Sequence, residues 1–173
     1  MNHVNNKNAS QFMIDNLDIL PKGRLLDLAM GNGRNAVYMA KLGYEVEGID
    51  ISADALNKAR ALAEENGVYI KMYHSDLEKG NLIEEYAYDV IICFNYLQRS
   101  LIPQIKEGLR TGGAIVYETF IIDQSQFGRP RNPDYLLKHN ELLHMFSDFR
   151  CLRYREGIIE NRKAIAGIVA IKT

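Results

Sequence analysis

The sequence predicts an α/β protein built on a doubly wound, mainly parallel seven-stranded sheet with a C-terminal antiparallel hairpin. Three observations carry this. Short apolar runs alternate strictly with amphipathic helical stretches from Arg24 to Thr119, the pattern of repeated βαβ units. Nearly all the polar residues that interrupt those runs fall at their C-terminal ends, the edge where such sheets form their ligand crevice. After Phe120 the alternation stops, and two extended stretches joined by the polar turn Glu160-Asn161-Arg162 follow.

Taken in order, residues 1–8 are polar and asparagine-rich, an expected mobile arm. Ser10 is placed to cap a short helix carrying Phe12, Met13, Ile14 and Leu17, with Pro21-Lys22-Gly23 ending it. A first strand is expected over Arg24–Leu28 and a first long helix over Arg34–Leu42, closed by Gly43. Tyr44–Ile49 reads as a second strand ending on Asp50. Ser52 caps a helix with Ala55, Leu56, Ala59 and Ala63 along it, stopped by Asn66-Gly67. Val68–Tyr73 and Tyr88–Phe94 are the third and fourth strands. Leu101–Leu109 is a helix that tolerates Pro103 in its first turn. Thr111-Gly112-Gly113 turns into a fifth strand, Ala114–Thr119. Beyond a loop with two prolines and two arginines, Lys138–Phe146 reads as a helix. Arg150–Glu156 and Ala164–Ile171 are the hairpin strands. The whole of 1–173 is read as a single domain, with 1–20 as an N-terminal cap segment and 121–146 as a substrate lid loop and helix.

Composition narrows the function. The 173 residues are 47% apolar and 25% charged, with a net charge of −1, so nothing global favours nucleic acid or an acidic membrane as partner. Residues 120–173 carry nine basic and six acidic side chains, a tilt that marks either an anionic substrate or a solvated surface. Two cysteines, Cys93 and Cys151, match no metal-ligand spacing or disulfide framework. With no apolar signal-peptide core at the N-terminus and no run long enough to span a membrane, the expectation is a cytoplasmic protein.

The stretch from Arg24 to Ala36 holds the sharpest signal. Gly31-Asn32-Gly33-Arg34-Asn35-Ala36 matches the G-x-G-x-x-A dinucleotide pattern, a weak indication alone. Asp27 lies inside the preceding strand, where its charge would repel a pyrophosphate but suits a cationic ligand. A second acid, Asp76, ends the third strand beside Leu77. An adenine amine needs such an acceptor, and its ring needs such an apolar neighbour. The plainer alternatives are a structural cap on the turn for Asp27, a helix-capping acid for Asp50 and a turn residue for Asp76.

Four landmarks in order resemble class I S-adenosylmethionine-dependent methyltransferases. They are Leu25-Leu-Asp-Leu-Ala-Met-Gly-Asn-Gly33, Val46-Glu-Gly-Ile-Asp50, Ser75-Asp76-Leu77 and Leu109-Arg-Thr-Gly-Gly113. Gly33-Arg-Asn35 and the spacing around Gly43 further resemble the small bacterial tellurite-resistance-type branch. The resemblance implies a Rossmann-like methyltransferase fold with S-adenosyl-L-methionine as cofactor, no metal, and a small-molecule methyl acceptor. It implies that Asp27 faces the ammonium of the methionine moiety and that Gly31 and Gly33 let the backbone pass close. Asp50 would take the ribose hydroxyls, Ile51 would pack on the adenine, Asp76 and Leu77 would accept from and flank it, and Asn95 would lie near the sulfonium. Two positions depart from the family: Ala29 stands where its first turn glycine belongs, and Met30 stands where a cysteine or small residue is usual, narrowing the crevice.

For the acceptor, Tyr96, Arg99, Glu118, Arg129 and Arg131 are the candidates, the arginines as clamps for an anion. Glu118 reads as a base or as an arginine partner, and Tyr96 and Phe120 as walls for an apolar acceptor or as core, with core favoured for Phe120. An oxyanion or thiol-like nucleophile is what the family branch suggests. Two rival functions stand beside this one. They are an NAD(P)-dependent oxidoreductase, from the bare glycine pattern, and a non-catalytic cofactor-binding protein on the same fold.

Overall fold

The computed structural model describes residues 9–173, so the polar arm expected over 1–8 lies outside the described residues. Helix α1 (Gln11–Asp15) is followed by strand β1 (Arg24–Leu28), α2 (Arg34–Lys41), β2 (Glu45–Asp50), α3 (Ala53–Glu65), β3 (Ile70–His74) and β4 (Tyr88–Phe94). Then come α4 (Ile102–Gly108), β5 (Leu109–Phe120), α5 (Glu141–Met145), β6 (Arg150–Ile159) and β7 (Lys163–Ile171). The seven strands lie in the order β3-β2-β1-β4-β5-β7-β6. The first five are parallel, and β7 enters antiparallel between β5 and β6.

Strand periodicity explains the two core layers. Side chains alternate across a strand, so a strand covered on both faces must be apolar throughout. Leu26 and Leu28 of β1, with Ile91 and Cys93 of β4, face the layer that holds Leu101, Ile105 and Leu142 of the α4–α5 side. Leu25, Val90 and Ile92 face the opposite layer, with Met13 of α1, Ala36 and Val37 of α2, and Leu56 and Ala59 of α3. The chain winds one way from β1 to β3 and the other way from β4 to β5. The switch point therefore lies between the C-terminal ends of β1 and β4.

Local chemistry sets the boundaries. Ser10 Oγ accepts the Met13 amide and Ser52 Oγ accepts the Ala55 amide, the expected N-caps of α1 and α3. Gly33 adopts a left-handed φ of +80° at the start of α2, and a Cβ there would come within 2.8 Å of Ala59 Cβ. Its lack of a side chain thus serves the close packing of α2 on α3 as well as the turn. Gly48 of β2 makes room for Met30, whose Sδ would lie 2.1 Å from a Cβ at that position. Met30 is buried in the α1–α3 layer, where its side chain fills a core gap, and it also borders the cavity over the turn after β1.

Several element boundaries differ from expectation, three of them with a clear local cause. Thr111-Gly112-Gly113 lies within β5 and does not precede it. The pairing with β4 slips between Tyr88 and Val90, and the Gly112 amide and Gly113 carbonyl bond the Lys172 backbone, keeping the segment in the sheet. The helix expected over 138–146 shrinks to Glu141–Met145, because Leu137 bridges Ile121 and Asn140 takes a φ of +62°. His139 is thereby off the helix and pairs with Asp123. β3 starts at Ile70 because the Val68 amide is engaged by Ala63 O at the end of α3.

Candidate functional site

Among the described residues four cavities adjoin at the C-terminal edge of the parallel strands: three along the strand ends and one of about 240 Å³ toward α1, against Ser10, Asn95, Glu118 and Arg155. The first, about 370 Å³, lies over the turn after β1, between Asp27, Gly31, Asn35 and Phe94. The second, about 270 Å³, lies at the ends of β2 and β3, against Asp50, Ile51, Ser75, Asp76 and Leu77. The third, about 470 Å³, lies beyond β4 and β5 under the loop carrying Arg129, Pro130 and Tyr135. Ala29 borders the first two, Asn95 the first and third, and Tyr96 and Glu78 the second and third. The three spaces thus meet around Ala29, Asn95 and Tyr96.

In the first cavity Asp27 is 3% exposed, and its Oδ2 has no hydrogen-bond partner among the described residues. Burial holds its carboxyl well above the ordinary range, and the charge of Asp50 adds to this. The Ala36 amide, in the first turn of α2, works in the opposite direction. A buried acceptor without a donor costs about 1–3 kcal/mol, so the site is built for a ligand that brings one. A cation with N–H donors satisfies both the lone pair and the charge. Gly31 has a φ of +55°, and a Cβ added to it would meet nothing within 4 Å. Ala29 holds a φ of +54°, a conformation that costs a non-glycine residue about 1–2 kcal/mol.

In the second cavity Asp50 is fixed by two backbone donors. The Gly31 amide bonds Oδ2 at 2.8 Å, and the Ser52 amide bonds Oδ1 at 2.8 Å. Each carboxylate oxygen keeps capacity for a second donor, so the capping role and a diol-binding role are compatible. Asp76 likewise makes its own turn, accepting the Glu78 amide at 3.0 Å, with Lys79 at 3.4 Å. It still borders the cavity, as does Leu77, which is buried in the core layer. Ile51 is 63% exposed on the rim, an apolar surface that a flat ligand would cover.

The acceptor candidates separate. Tyr96 forms the wall between the second and third cavities. Its hydroxyl donates to Gln98 Oε1 at 2.6 Å, and burial pushes the phenol up to about 12, so it stays protonated. Arg129 borders the third cavity, and among the described residues no carboxylate pairs with it. Arg131 borders none of the three cavities. Arg99 is corrected to a structural role. Its guanidinium holds Glu141 through two bonds of 2.5 and 3.0 Å, and donates to the carbonyls of Asp134 and Leu136. It straps the loop to the start of α4 and has no place in the cavity lining. Glu118 pairs with Arg155 at 2.7 Å, on the side facing α1 and away from the third cavity. Phe120 borders the third cavity and is not core. Glu78, not among the sequence candidates, borders the second and third cavities; its place in the turn after Leu77 is the signal that could have found it.

Comparison with known proteins decides the family. The family model described as tellurite resistance protein TehB matches residues 2–172. The chain belongs to the TehB family. The probable S-adenosyl-L-methionine-dependent methyltransferase TehB of Haemophilus influenzae is 27% identical over 158 residues, 87% of this chain and 54% of that protein. The ubiquinone biosynthesis O-methyltransferase of Aliivibrio fischeri is 28% identical over 122 residues, 68% of this chain and 52% of that protein. The chain thus spans about half the length of the curated relatives it matches. The crystal structure of Haemophilus influenzae TehB superimposes with a TM-score of 0.80 at 24% identity, covering 93% of this chain and 61% of that one. That of the geranyl diphosphate C-methyltransferase of Streptomyces coelicolor, in complex with Mg²⁺, geranyl diphosphate and S-adenosyl-L-homocysteine, gives 0.71 at 14% identity, covering 91% and 78%. These likenesses bear out the Rossmann-like methyltransferase fold. Among the described residues no cluster of metal-ligating side chains occurs, and no helix is long and apolar enough to cross a membrane.

Proposed function

We propose that this chain is an S-adenosylmethionine-dependent methyltransferase acting on a small molecule. The observation that carries the reading is the unpartnered Oδ2 of Asp27, buried in a cavity that adjoins the carboxylate of Asp50. A ligand with an ammonium at one end and a diol and purine at the other matches these groups in order along the edge. Asp27 would take the ammonium, with Gly31 leaving space beside it. Asp50 would accept from the ribose hydroxyls. Asp76 would accept from the adenine amine, with Ile51 and Leu77 on either side of the ring. Asn95, at the meeting point of the cavities, would lie nearest the reacting centre.

S-adenosylmethionine supplies a methyl group already activated by its sulfonium. What remains for the protein is alignment and exclusion of water. Tyr96 and Ala29 narrow the passage between the cavities, and Asn95 is held there by a left-handed backbone (φ +56°) and its amide bond to Glu118 O at 2.9 Å. The acceptor would enter through the third cavity, under the loop that Arg99 straps down. The family branch points to an oxyanion or thiol-like acceptor. The two cysteines are unpaired, Cys93 buried and Cys151 exposed, which supports a cytoplasmic setting.

Calorimetry with S-adenosylhomocysteine and with NAD tests the cofactor assignment. Binding of the first and none of the second is expected; the reverse result refutes it. A non-catalytic protein on the same fold would bind the cofactor yet release no S-adenosylhomocysteine with any acceptor.

A further inference from the structure

The third cavity has room, and apolar surface, for an organic acceptor larger than an inorganic oxyanion. At about 470 Å³ it has the liquid volume of about fifteen waters, within the usual range of organic-ligand sites. Its walls are Tyr96, Leu97, Phe120, Pro130 and Tyr135. An inorganic anion there would leave most of this surface uncovered and gain nothing from it. A flat ring is the shape such walls bind, through offset stacking and apolar burial.

Charge then selects the substituent. Among the described residues Arg129 is the only cation bordering this cavity, and no carboxylate pairs with it. It stands on the loop side of the space. Asn95 and Thr119 stand on the sheet side, at the ends of β4 and β5, and Asn95 also borders the first cavity. A molecule stretched between them has its anionic group at Arg129 and its other end at the reacting centre. From this we propose that the acceptor is an aromatic acid: a planar ring carrying a carboxylate for Arg129 and a nucleophilic hydroxyl at the far end.

The step balances without a further reagent. The hydroxyl oxygen's lone pair forms the new bond to the methyl carbon as the carbon–sulfur bond breaks and its electron pair stays on sulfur. The hydroxyl proton passes to the carboxylate of Glu78, among the described residues the one acidic side chain bordering both the second and third cavities.

This inference rests on the cofactor assignment above, and its test separates the two. The protein is first titrated with S-adenosylhomocysteine by calorimetry. Binding of 4-hydroxybenzoate and of uncharged 4-cresol is then followed by saturation-transfer NMR on the loaded protein. The same is done with Arg129→Gln, a change on an exposed loop. We expect 4-hydroxybenzoate to bind the parent at least tenfold more tightly than it binds Arg129→Gln, with 4-cresol binding the two alike. Absence of S-adenosylhomocysteine binding overturns the cofactor assignment and this inference together. Cofactor binding with no response to 4-hydroxybenzoate, or an equal response in the variant, overturns this inference alone. Faster methylation of selenite than of any ring acid also overturns it.

Discussion

Asp50 Oδ2 accepts the Gly31 amide at 2.8 Å, so the end of β2 holds the glycine turn that follows β1. The residue proposed to bind the ribose therefore also shapes the neighbouring cavity. Asp50→Ala should weaken S-adenosylhomocysteine binding by about 1.5–3 kcal/mol, the scale of hydrogen bonds to a charged group. It should also lower the stability of the cofactor-free protein by about 1 kcal/mol, because the Gly31 and Ser52 amides lose their acceptor. Calorimetry and denaturant unfolding read the two effects. A loss of stability with unchanged affinity would confine Asp50 to capping.

Asp27 gives a stability–function trade with a defined pH dependence. Its carboxyl holds a proton in the folded state over a range where the unfolded chain has lost it, from the ordinary carboxyl value upward. Stability of the cofactor-free protein should therefore fall as pH rises through that range. Asp27→Asn removes this slope. Thermal melts should show the variant more stable than the parent at pH 8, with the gap shrinking toward pH 4. Its affinity for S-adenosylhomocysteine should drop at the same time. A parent and variant that respond to pH alike would refute the assignment.

Ala29 holds a left-handed backbone where glycine would be at ease. Ala29→Gly relieves about 1–2 kcal/mol of strain, against about 0.4–1 kcal/mol for the greater freedom of an unfolded glycine. A net gain of about 0.5–1 kcal/mol in urea unfolding is expected. An equal or lower midpoint would mean that the alanine methyl earns its place by packing beside the cavities.

Arg99→Met should release the loop over the third cavity. The ion pair with Glu141 is part-exposed, so the stability loss should be about 1 kcal/mol once solvent screening is counted. The clearer readout is proteolysis. Trypsin should cut after Arg131 faster than in the parent, while S-adenosylhomocysteine affinity stays unchanged. A cleavage rate equal to the parent's would show that the loop is held by other contacts.

Much of the fold, and the acids that line the candidate cavities at the strand ends, was legible in the sequence, for a local reason. β1 and β4 fall on the expected residues because a strand buried on both faces must be apolar from end to end, and Asp27, Asp50 and Asp76 stand out by breaking or ending such runs. Ser10 and Ser52 announce α1 and α3 because a cap is a contact over three residues. The acceptor side was read less well because its contacts are distant in the chain. Arg99 and Arg129 are the same residue type on neighbouring loops. What separates them is Glu141, 42 residues beyond Arg99, which engages one guanidinium and leaves the other facing the cavity.

By itself, then, the sequence determined the order of strands and helices, the glycine turn after β1 and the edge on which acids collect, all consequences of side-chain periodicity and short-range capping. Only the tertiary structure decided that Met30 packs into the space left by Gly48, that Asp27 keeps an oxygen without a donor, and that three cavities meet at Ala29, Asn95 and Tyr96. The reason is physical: burial, unmet hydrogen bonds and empty volume belong to the packing of several elements at once, and no single stretch of chain carries them.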